Sequence, residues 1–441
     1  MPKGLRTLRF SFNEPNLTHY GGLVLLHRFC NQLRLRHRLQ KYVLIPYREG
    51  DYHPADLLLA LVYALIAGLR RINQTEILQY NGTFLSLLGV KRFPDQTTLR
   101  RFLQRLSPHA IRQLVRLHDQ LRRELFAHPA PPTSLTFDVD SVVLTLYGHQ
   151  QGARVGYNPK KKGRRSYHPL LCFESHHQEF WHGSLRPGDA ASNTGVVPFL
   201  KRCLDKVPSD LARSRIRVRA DAGYFSGKLI GWLDQTGLGY VIVAREYSTI
   251  RQRARALKFT ALGSGVEVGE FRYQPHGWKT PHRFVVMRRP IPEDPVEAAQ
   301  LTLFKDRRYA YTVLVTNLDL APWRVWTFYR PRAIIEKDIR ELLYDLPLGK
   351  IPTGDWVANV AFFQTVLFAF NLVHWFKRLC LPAQYAKATI ETVRSDFLRL
   401  PAKLVNRGRR NVLQLPKDYH YQKEFLSAAK AVEQLRRSRK K

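Results

Sequence analysis

One stretch limits what this chain can fold into more than any other: residues 133–147, TSLTFDVDSVVLTLY. It is rich in Val, Leu, Thr, Phe and Tyr, and its apolar residues crowd both faces, the pattern of a buried central strand. Two carboxylates, Asp138 and Asp140, nevertheless sit in its middle. An alternating strand puts both on the same face. Two buried like charges raise each other's pKa and repel unless a cation lies between them. The fold must therefore bring something positive to this strand.

The chain is positive almost everywhere. Its 441 residues hold 71 Lys and Arg against 35 Asp and Glu, a formal charge of +36 spread along the whole length. Such a field works against compactness and favours a polyanionic partner, nucleic acid before an anionic membrane surface. An apolar share of 44% is enough for real cores, and the length suits two or three domains. The four cysteines, Cys30, Cys172, Cys203 and Cys380, form no C-x-x-C pair, which supports neither a disulfide framework nor a zinc ribbon and suits a reducing cytosol. The N-terminus MPKGLRTLRF lacks an apolar run of signal-peptide length. The most apolar run, 356–376, is interrupted by Asn359, Gln364, Asn371 and His374, and reads as a buried amphipathic helix of a soluble protein.

From about 19 to 128 the apolar period is helical. Its last two helices, with Asp95 as N-cap and Ser107-Pro108 between them, suit either a helix-turn-helix or an antiparallel hairpin with a solvated basic face. The proline-rich segment 128–132 is a stiff boundary, and beyond it the period becomes strand-like. Strands are expected at 167–174 and 179–185, a helix near 194–206, a strand at 215–221 ending in Asp221, a helix near 226–235 and a strand at 239–245. In RIRVRAD, Ile216, Val218 and Ala220 share one face and three arginines the other. The order describes a mixed sheet whose later strands are parallel through right-handed crossovers. Short β-prone segments fill about 247–319, and helix returns at Pro322 and over 329–346.

Asp140, Asp221 and Glu336 thus stand on elements that one sheet would bring together. Each has an ordinary reading: Asp138 or Asp140 as an ion-pair residue, Asp221 as a helix N-cap, Glu336 as one rung of the ladder Arg332, Glu336, Arg340 spaced i, i+4. Three converging carboxylates in a basic protein are better explained by divalent cations. Hard oxygen ligands suit Mg²⁺ or Mn²⁺, and two such ions can drive in-line displacement at phosphorus.

The segments FDVDS, RADAGYF and Y-x-x-R-x-x-x-E (Tyr329, Arg332, Glu336) resemble the three acid motifs of the DDE transposases of bacterial insertion sequences, in the superfamily with the Y-R-E signature. The 81 residues from Asp140 to Asp221 and the 115 from Asp221 to Glu336 suit that likeness, and 155–171, VGYNPKKKGRRSYHPLL, resembles one branch closely. The resemblance spans about 20–420. It implies a mixed α/β protein with C-terminal helices: a helical DNA-binding domain over 1–128, an RNase H-like core whose first part is 133–246 and whose second part, with a helical C-terminal region, is 321–400, a β-rich insertion at 247–320 and a basic tail at 401–441.

For the site it implies Asp140, Asp221 and Glu336 as catalytic metal ligands for two Mg²⁺ or Mn²⁺ ions, with Tyr329 and Arg332 as partners of the third acid or of end DNA. Asp140 is chosen over Asp138 because the family pattern has a small hydroxyl residue after the acid, here Ser141. The signature normally carries Lys seven residues after the glutamate; this chain has Leu343 there, and Arg340 is the nearby cation that would supply the phosphate contact. The basic run Lys160, Lys161, Lys162, Arg164 and Arg165, near Tyr157 and Tyr167, is the expected contact to DNA phosphates. The implied partners are double-stranded DNA, as transposon ends and target, and a second copy of the chain on DNA, with no membrane. The implied setting is the bacterial cytoplasm, at the nucleoid. The implied activity is strand cleavage and transfer at the ends of an insertion sequence; a DNA-binding descendant that does not cut and a stand-alone nuclease of the same fold are the alternatives.

Overall fold

A computed structural model describes residues 8–47, 52–79, 81, 85, 92–126, 132–263, 265–291, 308–408 and 410–438. The greater part of the expected linker 128–132, part of the region 247–320 and the last residues of the basic end lie outside them. The chain divides into two compact units: His118–Arg340 with Gly354–Trp356, and Met1–Leu117 with Glu341–Thr353 and Val357–Lys441.

The unit containing His118–Arg340 is built on one nine-stranded sheet. Its strands are β1 (Leu135–Ser141), β2 (Leu170–Glu174), β3 (Glu179–Ser184), β4 (Ile216–Ala220), β5 (Gly239–Val243), β6 (Thr260–Ala261), β7 (Glu267–Tyr273), β8 (His282–Pro290) and β9 (Tyr309–Thr316), in the order β6-β7-β8-β9-β5-β4-β1-β2-β3. β1, β2 and β3 pair antiparallel; β4 and β5 run parallel beside β1. That five-strand arrangement, with the first strand central, is the RNase H-like core. Among the described residues, the β-prone segments after residue 247 join the main sheet: β9 pairs with β5, and β8, β7 and β6 extend the same sheet outward.

The expected strand 133–147 is shorter than its composition suggested. It pairs as β1 only to Ser141, and Leu144–Thr145 turns into a small separate sheet with Arg154–Val155 and Arg165–Tyr167. Alternation in β1 sends Phe137 and Val139 into the larger core, where they join residues of helices α1 (Val196–Leu204) and α2 (Gly227–Thr236), among them Phe199, Leu200 and Leu233. Helix α3 (Ser248–Arg255) adds Ile250 to that core. The opposite face carries a smaller cluster, with Val241, Val285 and Leu314 against Val325 of helix α4 (Pro322–Tyr329). Asp138, Asp140 and Arg219 project on this second face.

In the other unit, helices Leu23–Gln32, Leu35–Tyr42, Pro54–Ile66 and Gln96–Arg105 follow the expected apolar stripes. Asp95 caps the last of these, accepting from Thr98 N at 2.8 Å. The apolar helix Trp356–Cys380 is long enough to cross a membrane, but it is mostly buried inside the protein. It is buried all round, which corrects the amphipathic reading: Asn359 and His374 also face inward, Asn359 accepting from Thr353 Oγ1 at 2.8 Å and His374 lying 3.6 Å from Glu341. The region expected as a tail, 401–441, carries the hairpin Ala402–Arg407 with Arg410–Gln414 and the helix Gln422–Ser438.

Candidate active site

The acid site begins with strand register. In the parallel ladder Val139 lies opposite Ala220; the next residues are Asp140, still paired with Leu171 of β2, and Asp221, the first residue beyond β4. β4 stops at Ala220 because the Asp221 carboxylate turns back on its own backbone: Oδ1 accepts from Gly223 N at 2.9 Å and caps a 3₁₀ turn, Ala222–Tyr224. Asp221 is thus an N-cap and a site acid at once. Gly223 is tightly enclosed: a Cβ there would sit 3.0 Å from Asp221 Oδ1 and 3.2 Å from Ser192 Cβ, so the neighbours would have to give by a few tenths of an ångström. Ser192 also meets Ser141, Oγ to Oγ, at 3.1 Å. Its loop is held by Arg186, whose guanidinium donates to the carbonyls of His168, Ala191 and Thr194.

The third element departs from the single regular helix expected over 329–346. Proline at its first turn starts α4, which ends at Tyr329; Pro331, lacking an N–H, sits in a 3₁₀ turn, Arg330–Ala333, and α5 (Ile334–Arg340) follows. A π-helical turn, Glu341–Asp345, comes next. The backbone stays right-handed helical through Tyr329, Arg330 and Ile334, Arg332 and Glu336 remain one turn apart, and Arg332 is aimed at the acids. Its Nη2 lies 2.7 Å from Asp140 Oδ2 and 3.8 Å from Asp221 Oδ2, and its Nη1 lies 3.3 Å from Glu336 Oε1. All three acids converge on one guanidinium.

The electrostatics follow from three carboxylates sharing one cation. Burial pushes the Asp140 carboxyl up to about 6; Arg332 opposes that, while Asp221 and Glu336 add to it. Burial works against the charge of Arg332, but Asp140, the Tyr329 hydroxyl, Asp221 and Glu336 together raise its pKa. Burial likewise raises Tyr329, with Arg332 opposing and the acids reinforcing. Tyr224, buried behind the site, is raised well above the ordinary tyrosine range by burial and then by Asp140.

Asp138, two residues back on the same face, has a different environment. Its carboxylate forms a bidentate pair with Arg219, Nε to Oδ1 and Nη2 to Oδ2 both at 2.7 Å. Arg219 Nη1 also donates to the carbonyl of Phe328 at 2.6 Å, and Nη2 to Ser175 Oγ. Arg219 was legible in the sequence only as one of three arginines on the outer face of its strand; the one further signal was that it lies two residues before Asp221, as Asp138 does before Asp140.

The donor set suits a hard divalent cation: carboxylate oxygens of Asp140 and Asp221 approach one and the same nitrogen, and Glu336 reaches the neighbouring one. The cation they meet in this structure is Arg332. Among the described residues no group of three or more His, Cys, Asp or Glu is placed to hold a metal ion.

The other expected site residues are placed elsewhere. Lys160, Lys161, Lys162, Arg164 and Arg165 are all exposed on the small three-stranded sheet, where Asn158 anchors their loop by accepting from Lys161 N and donating to Thr145 Oγ1, both at 3.0 Å. Tyr147 and Tyr157 beside them are each 75% exposed. Tyr167 is buried, donating to the carbonyl of Gln151, and offers nothing to a ligand at that surface. Arg340 is exposed at the end of α5, and Leu343 falls, half-buried, in the π-helical turn.

The sheet is RNase H-like, with Asp140 and Asp221 at or just beyond the ends of its central parallel strands and a third acid on the helix that follows. The profile of the family described as transposase DDE domain, group 1, matches residues 2–437, and the chain belongs to that family. Members of it generally use divalent metal ions. Comparison with curated proteins gives no match. Among solved structures, the chain is similar to the piggyBac transposase in a synaptic complex with hairpin DNA, at 13% identity and TM-score 0.40, over 92% of this chain and 89% of that one. A pre-cleavage Mos1 transpososome is matched at 12% identity and TM-score 0.17, over 48% of this chain and 67% of that one.

Proposed function

We propose that this chain is a transposase that cleaves and rejoins DNA strands at the ends of an insertion sequence, with Asp140, Asp221 and Glu336 as the ligands of two Mg²⁺ or Mn²⁺ ions. The observation that carries the reading is the convergence of these acids, from three separate elements, on one guanidinium. Bound there, the ions would activate a water or a 3′-hydroxyl and stabilise the leaving oxygen of an in-line displacement at phosphorus.

The chain's own residues prepare that step. Asp140 is largely ionised at neutral pH, because its pKa of about 6 lies below it. Arg332, freed from the carboxylates as cations enter, is within reach to bind a phosphate oxygen of the DNA end. Tyr329 orients it from the preceding turn. The exposed cations of 160–165 hold the DNA backbone without reading sequence, and Arg340 takes the phosphate contact that Leu343 cannot make. The helices before residue 128 are the candidate end-recognition domain. Double-stranded DNA is the partner, held by two copies of the chain in the bacterial cytoplasm.

The test is incubation with Mg²⁺ and DNA carrying the terminal repeats that flank the gene. Strand-transfer products support the proposal; cuts without joining make the protein a nuclease; a gel shift without cuts makes it a DNA-binding protein.

A further inference from the structure

We propose that Arg219 is a positioning residue for the acid site, tying together the three elements that carry Asp140, Asp221 and Glu336. The proposal rests on reading those acids as a metal-dependent DNA-cleaving site. Arg219 lies two residues before Asp221 on β4, and it holds Asp138, two residues before Asp140 on β1, through both carboxylate oxygens at 2.7 Å. Its remaining direction goes to the carbonyl of Phe328 at 2.6 Å, the residue before Tyr329 in the segment that delivers Arg332 and Glu336. The guanidinium also lies 5.1 Å from the centre of the Phe328 ring. Both charged side chains are 3% exposed.

A purely structural reading does not account for this choice of residues. Asp138 and Arg219 are register partners in a ladder whose backbone hydrogen bonds already join β1 to β4. An apolar pair would fill the same space at no loss of stability, because charges buried together recover little more than their desolvation cost. What an apolar pair lacks is a donor aimed at Phe328. Between residues 322 and 340 the chain forms no strand of the sheet, so side chains set its position: Val325 packs on the smaller cluster, and Arg219 holds the carbonyl of Phe328 just before the turn from which Arg332 meets Asp140 at 2.7 Å. Arginine's planar fork serves Asp138 and Phe328 in different directions at once, which the single ammonium of lysine does not.

The test uses the full chain with two variants, Arg219→Lys and the double variant Asp138→Leu with Arg219→Met. Hydrogen exchange of the amides of residues 329–340, Mn²⁺ affinity by electron paramagnetic resonance, melting temperature and cleavage kinetics are read together. The double variant is expected to melt within a few degrees of the wild type. Its amides at 329–340 should exchange at least tenfold faster, Mn²⁺ should bind at least tenfold more weakly, and kcat should fall while KM for DNA stays the same. Arg219→Lys should show the same losses, smaller in size, and it decides the matter if the double variant does not fold. Wild-type exchange at 329–340 together with wild-type Mn²⁺ affinity in these variants would overturn the proposal. Faster exchange in the variants, in a protein whose wild type binds no Mn²⁺, would leave the tether standing and remove the metal-site reading.

Discussion

Two acid–arginine centres lie two residues apart on one face of β1, and they are built to opposite ends. At Asp138 one carboxylate meets one guanidinium, both almost wholly buried. At Asp140 three carboxylates meet one guanidinium, with exposure rising from 15% at Asp140 to 43% at Asp221 and 69% at Glu336. The first centre is closed in charge and in space. The second is short of positive charge and open on one side, in a protein with a formal excess of +36. Charge stoichiometry and access, more than residue type, separate the tether from the site.

The largest expected effect falls on the open centre. Asp140→Asn, Asp221→Asn and Glu336→Gln should each lower Mg²⁺-dependent cleavage by about three orders of magnitude or more, since metal stabilisation of the reacting oxygens amounts to several kcal/mol. DNA affinity in a gel-shift titration should stay within about twofold of the wild type. Cleavage retained by any of the three removes that residue from the site.

Next comes a stability contrast. Arg219→Ala leaves Asp138 buried without its partner and should cost about 3–5 kcal/mol in denaturant unfolding, regardless of divalent ions. Arg332→Ala takes the nearest counter-charge from Asp140, so it too should destabilise the fold, but here the site is open toward Asp221 and Glu336 and millimolar Mn²⁺ should recover the loss. No recovery with Mn²⁺ would erase the distinction between the two centres.

A third, pH-dependent effect follows from Asp140. Its folded pKa, raised to about 6, lies above the ordinary aspartate value, so the stability it lends is present at acid pH and lost as pH rises through 6. Asp140→Asn should therefore be more stable than the wild type above pH 6, by up to a few kcal/mol in the absence of metal, with the gap closing toward pH 4. Unfolding curves at the two ends of that range check the sign.

The smallest effect concerns the exposed loop. Neutralising Lys160, Lys161, Lys162, Arg164 and Arg165 together should lower the slope of log affinity against log salt by up to about 4.5 units, at roughly 0.9 per phosphate contact, without changing metal affinity. An unchanged slope takes this surface out of DNA binding.

Much of the design was readable before any coordinates. Alternation put Asp138 and Asp140 on one face of β1 and Arg219 on the polar side of β4, and the structure shows that these are one face of the sheet, away from the larger core; the three acid motifs and their spacing carried the likeness to the family to which the chain belongs. Composition cannot tell where a strand leaves its sheet, so β1 ended six residues short of the expected 147. Nor could local pattern show that the segments after residue 247 extend the main sheet, because edge pairing depends on distant strands such as β5 and β9.

The sequence by itself determined most of the element types in the sheet unit and the shared face of Asp138 and Asp140, because these depend on periods of two or a few residues along the chain. Only the tertiary structure decided which arginine serves which aspartate. Arg219 and Arg332 are both guanidiniums near the same carboxylates, and what separates them is direction: a parallel register sets Arg219 opposite Asp138, whereas a helix broken near Pro331 brings Arg332 to Asp140. Those geometries arise from residues 81 and 192 positions apart in the chain, and no local pattern carries that information.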